Sequence, residues 1–234
     1  MQARPSTLLR PGAGQINNNA MVRKLLITLL TAASFASANA QADWVLKTEK
    51  EGIKVYTRNM AESKIKAIKI ACTLPTTLSK LAVAIFDITT AKQWVYSTKS
   101  CTLLKQVSPA ELYYYSEVNV PWPVSNRDFV AHLKLTQNPV TKVLTVDAEN
   151  VPGFTPTKAN VVRVQHSVGK WVAEPAGQNQ VKVEYTLFTD PGGSVPSWLI
   201  NMFITKGPLE SFIKLRALLS QQMPNNMQLD FVKN

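Results

Sequence analysis

PAELYYYSEVNVPWPVSNRDFVAHLKL, residues 109–135, holds an aromatic strand, an abrupt stop and a second strand. Tyr113, Tyr114 and Tyr115 favour extended backbone. Pro121 and Pro123 then remove two backbone donors and fix φ on either side of Trp122, so a sheet ladder must end there. Ser125-Asn126-Arg127-Asp128 supplies polar turn chemistry. Beyond it the pattern has period two, with Phe129, Ala131, Leu133 and Leu135 on one face and His132 and Lys134 on the other, which should be solvated. The stretch predicts two antiparallel strands joined by a wide connection with Trp122 at its tip.

The flanking sequence extends this pattern into a sheet. Residues 43–56 alternate loosely around a Glu51-Gly52 turn, as a hairpin or a short helix plus strand. Residues 64–74 are β-branched and alternating, with a register break expected near Ala67-Ile68. Thr76-Thr77 offers an N-cap, and Leu78, Leu81, Ala82, Ile85 and Phe86 follow at helical spacing. That helix reaches about Tyr96, with a break at Thr89-Thr90. Strands are predicted over 102–107, 112–120, 129–136, 143–149, 161–168, 170–173 and 181–189, separated by Pro, Gly and Asn turns. A last helix starts near Pro196 with Trp198, Leu199, Met202 and Phe203 on its apolar side. Gly207-Pro208 kinks or restarts it. Leu209, Phe212, Ile213 and Ala217 then share a face, and Glu210 and Lys214 are spaced as an ion pair.

The apolar face of such a sheet needs a cover, and only the C-terminal helix is long enough. The expected fold class is therefore α+β, a curved antiparallel β-sheet gripping a long C-terminal α-helix. The W-P-(x)3-R-D-F string, from Trp122 to Phe129, resembles the START lipid-transfer family, and most of all its bacterial members, over about residues 44–219. The resemblance implies the helix-grip fold and a hydrophobic ligand inside it. In sterol-carrying relatives a buried acidic–basic pair orients the ligand. The corresponding basic position here is Leu133, a departure from the sterol-type arrangement.

Residues 1–40 contain no Asp or Glu. Met21 opens a basic segment (Arg23, Lys24), an apolar run over 25–30 and small residues ending Ala38-Asn39-Ala40, the layout of a secretory signal peptide. Cleavage near Ala40 is expected, with export to the periplasm or beyond; the alternative is an uncleaved anchor. Residues 1–20 then read as upstream of the true start or as a leader. Residues 41–222 are expected to form a single domain, and 223–234 a flexible tail. The leader holds four of the 26 basic residues, which leaves the rest at a net charge of +7. Such a surface suits transient membrane contact, but the lysines are scattered, and no nucleic acid is expected as a partner. Cys72 and Cys101 stand far apart without a CxxC, compatible with a disulfide or with two free thiols.

Catalytic motifs are absent from the sequence: it has no HExxH, GxSxG, P-loop or dinucleotide-binding turn, and only two histidines. No cofactor or metal is called for. On 181–187 the inward set is Val181, Val183, Tyr185 and Leu187, apolar and aromatic. His166 shares its face with Val162, Val164 and Val168 and should point inward. An interior of this kind suits a lipid-like ligand, since burial contributes about 25 cal/mol per Å² of apolar surface. The candidate ligand-binding residues are Trp94, Tyr113, Tyr115, Arg127, His166, Trp171, Tyr185, Trp198, Met202, Phe203, Phe212 and Arg216. Arg127 and Asp128 read either as a structural pair holding the Trp122 connection or as a headgroup contact; Arg216 is a second candidate anion partner. Three classes follow. The first is a non-catalytic lipid carrier or sensor with the terminal helix as its moving lid. The second is a cyclase- or dehydratase-like enzyme, which requires His166 and Tyr185 to face each other. The third is a module whose basic face docks a membrane or a protein.

Overall fold

Glu51 and Gly52 both adopt positive φ (54° and 73°), the geometry of a tight two-residue hairpin turn, and so join strands β1 (Val45–Lys50) and β2 (Ile53–Asn59). The computed structural model describes Met1 and residues 44–61, 63, 65–221 and 229–234. The leader therefore lies outside the described residues apart from Met1. Strand β3 (Lys66–Leu74) runs without the break expected near Ala67-Ile68. Both residues are buried because both faces of the strand are covered there, and this hides the alternation without any bulge.

Helix α1 (Leu78–Phe86) starts where Thr77 accepts a hydrogen bond from the Lys80 amide. Seven of its nine residues are buried, as its almost continuous apolar sequence requires. After the expected break, α2 (Ala91–Trp94) delivers the chain to β4 (Thr98–Ser108). Strands β5 (Glu111–Val118), β6 (Asn126–Gln137) and β7 (Leu144–Asn150) follow, then β8 (Val161–Arg163), β9 (His166–Pro175) and β10 (Val181–Asp190). The sequence places an interruption between residues 168 and 170. The chain instead breaks between Arg163 and His166, where short β8 pairs in parallel with β6 and β9 joins the antiparallel sheet.

Among the described residues the strands form one ten-stranded sheet of order β1-β2-β3-β10-β9-β7-β6-β5-β4, with β8 beside β6. Register shifts fall in the edge strands β1 and β4, where bulges are most easily accommodated. The face carrying Ile68, Ile70, Leu133, Val146, Trp171, Val183 and Tyr185 receives the helices.

The last helical run begins with α3 (Ser197–Asn201), passes through a π-helical turn at Met202–Lys206 and continues as α4 (Gly207–Ser220). Pro208 has no N–H to give to the preceding turn, and the wider turn absorbs that loss without ending the helix. Glu210 consequently pairs with Lys206 at 3.8 Å rather than with Lys214. Phe212, Leu215, Leu218 and Leu219 are buried, and the Lys80 ammonium caps the helix by donating to the carbonyls of Leu219 and Gln221 at 2.6 and 2.7 Å. The expected tail is not free at its end. Leu229 and Val232 are buried, the Lys233 amide donates to Gln137, and Asn234 caps Ser79. Two apolar side chains spaced by three residues were enough to dock it.

Gly207 is required by its neighbour: a Cβ there would lie 3.0 Å from Tyr96 Cδ1. Tyr96 cannot yield freely, because its amide N–H donates to the Ser211 hydroxyl at 2.9 Å and its ring packs edge-on against Phe203 at 6.1 Å. Gly207→Ala should therefore destabilise the protein by about 1–2 kcal/mol despite the higher helix propensity of alanine. Urea melts check this; a stabilised variant would show that Tyr96 can move aside.

Candidate functional site

Between the sheet and the first half of the last helical run lies a cavity of about 340 Å³, within the roughly 300–1,000 Å³ span of small-molecule pockets. Its position follows from helix geometry. The second half of α4 and α1 fill the groove with Phe86, Leu81, Leu215 and Leu219. The first half presents Leu199, Phe203 and Ile204 over a sheet region of smaller side chains: Ser116, Ala131, Ala148, Ser167 and Gly169.

An aromatic group bounds one side. Trp171 stacks on Phe212 with centroids 5.3 Å apart, lies 4.3 Å from Tyr185, and meets Trp94 edge-on at 6.1 Å. Burial pushes the hydroxyls of Tyr114 and Tyr185 well above the usual tyrosine range, so both are neutral donors. Cys72 and Cys101 are free thiols; burial raises them to about 12 and about 11, which leaves neither nucleophilic at neutral pH. The indole N–H of Trp94, the hydroxyl of Thr98 and the side-chain carbonyl of Asn150 line the cavity, are buried, and have no hydrogen-bond partner within the chain.

Arg127 and Asp128 do not form a pair. As neighbours in β6 they point to opposite faces, which no strand can avoid. Arg127 lines the cavity and donates to the carbonyls of Ser125, Pro191 and Gly192, tying β6 to the turn that precedes α3. Asp128, fully buried, receives Arg163 through two oxygens at 2.7 and 3.1 Å. Arg163 gives its remaining donors to the carbonyls of Pro152, Thr155 and Pro156. Asp128 raises the Arg163 guanidinium further above its ordinary value. Arg127, through Ser125, holds the end of the Trp122 connection, while Trp122 itself is 91% exposed.

Of the twelve candidates, Trp94, Arg127, Trp171, Tyr185, Phe203 and Phe212 line the cavity. Six do not. Tyr113 and Tyr115 lie on the outer face of β5: Tyr113 is sandwiched between His132 and Phe154 at 4.3 and 4.6 Å, and Tyr115 lies under the Lys158 ammonium. Their neighbour Tyr114 faces inward instead, paired in register with Ala131. Glu111 and Glu117 share the odd-numbered face of β5, and that was the readable sign that this face is not the greasy one. Glu117 is itself held below the usual carboxylate range, first by the Lys99 ammonium at 2.8 Å.

His166 is exposed, because the break at 164–165 resets the alternation and puts Ser167, Gly169 and Trp171 inside. It does not line the cavity beside Tyr185, as the cyclase- or dehydratase-like reading requires. Trp198 is 47% exposed and Met202 also falls outside the lining; Leu199, Phe203 and Ile204 take the inward face across the π-helical turn. Arg216 lies at the other end of the groove, 3.6 Å from Glu51. His132 is not solvated but bonds Glu111 at 2.7 Å. Phe129, Ala131, Leu133 and Leu135 face inward as the alternation predicts, and Leu112 joins them.

The chain was compared with known proteins. A family model described as START domain matches residues 28–224. An uncharacterized protein of Pseudomonas aeruginosa is 35% identical over 198 residues, which cover 82% of this chain and 96% of that protein. The phosphatidylcholine transfer protein of Rattus norvegicus is 33% identical over 182 residues, 74% of this chain and 81% of its own. Among solved structures, a STAR-related lipid transfer protein from Xanthomonas axonopodis superposes with a TM-score of 0.70 at 33% identity, covering 76% of this chain and 99% of that one.

Proposed function

This chain belongs to the START domain family, and on that premise we propose that it binds a lipid or similar hydrophobic molecule in the cavity beneath the last helix and carries it without chemical change. The observation that carries this reading is the cavity itself: about 340 Å³, walled by aromatic and aliphatic side chains, with three tyrosines and, among the described residues, no histidine at its surface. A site that only has to hide an apolar ligand from water needs no reactive group. Trp94, Trp171, Tyr185, Phe203 and Phe212 form the proposed contact surface, and Arg127 the polar end.

Entry requires the cover to move. The helical run over 197–220 is anchored by its second half, while its first half presents Leu199, Phe203 and Ile204 to the cavity; we assign the lid role to that half. Exposed Trp122 and Trp198, with the basic surface, support transient contact with a membrane. The leader composition supports export. The direct test is native mass spectrometry, with lipid extraction, of protein comprising residues 41–234. A bound or loadable amphiphile at one per chain is expected. A protein that neither carries nor takes up any amphiphile would overturn the proposal.

A further inference from the structure

Arg127 is a buried cation that the protein leaves without a counter-charge. It is 7% exposed and lines an apolar cavity, yet its partners are three backbone carbonyls: Ser125 at 2.6 Å, Gly192 at 3.1 Å and Pro191 at 3.3 Å. A guanidinium carries five N–H donors, so two remain after these bonds. Carboxylates of the neighbouring described residues are engaged elsewhere; Asp190, beside Pro191, accepts the Gly192 amide at 2.9 Å. Asp128 is taken by Arg163 on the opposite face of β6, and Glu117 by Lys99 and Asn126. Among the described residues no Asp or Glu lines the cavity, whereas Lys66 adds a second cation to its wall.

A charge held in such surroundings is stable only when something neutralises it. Arginine does not escape by losing its proton, because its pKa stays far above neutrality even when burial lowers it. Two of the three unpartnered groups at the cavity complement this, while the third, Asn150 Oδ1, is an acceptor. Trp94 Nε1 can only donate, and the Thr98 hydroxyl can donate as well. The lining thus offers positive charge and donors at a buried end, and aromatic surface along the rest.

We propose that the cargo is an anionic amphiphile whose carboxylate or phosphate head meets the free N–H groups of Arg127 while its tail lies against the Trp94–Trp171–Phe212 wall. This rests on the carrier reading above, and it narrows the ligand to a class. Neutral sterol-like molecules and cationic heads would leave the guanidinium unmatched.

The test compares a fluorescent polyene fatty acid with its methyl ester, which keeps the tail and removes the charge, by direct titration of the protein. The acid is expected to bind about tenfold more tightly or better, since a charge-assisted hydrogen bond is lost in the ester. In Arg127→Gln the acid-over-ester preference, read as a ratio within that variant, should collapse to about one; Arg127→Lys should retain part of it. Equal binding of acid and ester by the wild-type protein would overturn the proposal and leave the carrier reading intact. So would a preference that survives in Arg127→Gln. Binding of neither probe would overturn the anionic-head proposal, and the native mass spectrum then decides the carrier reading. The wild-type comparison stands even if Arg127→Gln proves unstable. Lysophosphatidic acid and inorganic phosphate complete the series. Displacement by the lysolipid at lower concentration than by the fatty acid would assign a phosphate head. Displacement by inorganic phosphate alone would assign the site to a free anion and overturn the amphiphile.

Discussion

Ala131→Phe is expected to weaken loading of any amphiphile by about tenfold to a hundredfold while leaving the protein folded. Ala131 lies on the cavity face of β6, opposite Tyr114 on one side and Asn150 on the other, at the centre of the small-residue floor. A phenyl ring placed there enters open space rather than packed core, so the folded state accommodates it. A ligand then has to share that space. Overpacking costs about 1–3 kcal/mol in proteins, which lowers affinity by about tenfold to a hundredfold. Quenching of Trp94 and Trp171 emission on titration with amphiphile reports occupancy directly, since both indoles form the wall. Thermal melts establish that the variant is native. Should Ala131→Phe load as well as the parent protein, the ligand does not occupy this cavity.

Asp128→Asn is the substitution with the largest expected effect on stability. Asp128 is fully buried and holds both the Nε and Nη2 groups of Arg163, itself 6% exposed. Through Arg163 it also organises the 152–156 loop. Removing the negative charge leaves a buried guanidinium facing only neutral acceptors, a loss of about 3–5 kcal/mol for breaking one side of such a pair. Denaturant melts should show this as a lower midpoint with an unchanged slope. Replacing both members by apolar residues of similar size should recover much of it, because neither charge is then stranded. A loss below about 1 kcal/mol would mean that the pair contributes little beyond its geometry. The contrast with Arg127 is informative. Two arginines lie on opposite sides of one sheet, one fully matched by carboxylate and loop carbonyls, the other with donors to spare.

Much of this architecture was legible along the chain because its signals are local. Alternation in 129–135, the Pro-Trp-Pro stop, the Thr77 cap and the break before Ala91 each depend on a few consecutive residues, and the described elements follow them. The inward set Val181, Val183, Tyr185 and Leu187 was readable for the same reason, with Lys182 and Glu184 marking the other face. The errors arose where alternation is ambiguous. On β5 both faces carry tyrosine, and only pairing with β6 puts Tyr114 rather than Tyr113 and Tyr115 inside. At 161–168 an unbroken reading places His166 inward, and the two-residue gap after Arg163 reverses it.

Local residue chemistry was sufficient to establish a sheet with one apolar face and a single long helix to cover it, since period and turn preference are properties of neighbouring residues. Which side chains surround the hollow, and that Arg127 and Asp128 part company across β6, followed only once β3 met β10 and β6 lay beside β5. Contacts between residues so far apart in sequence depend on register between strands, and no short window of residues specifies that register.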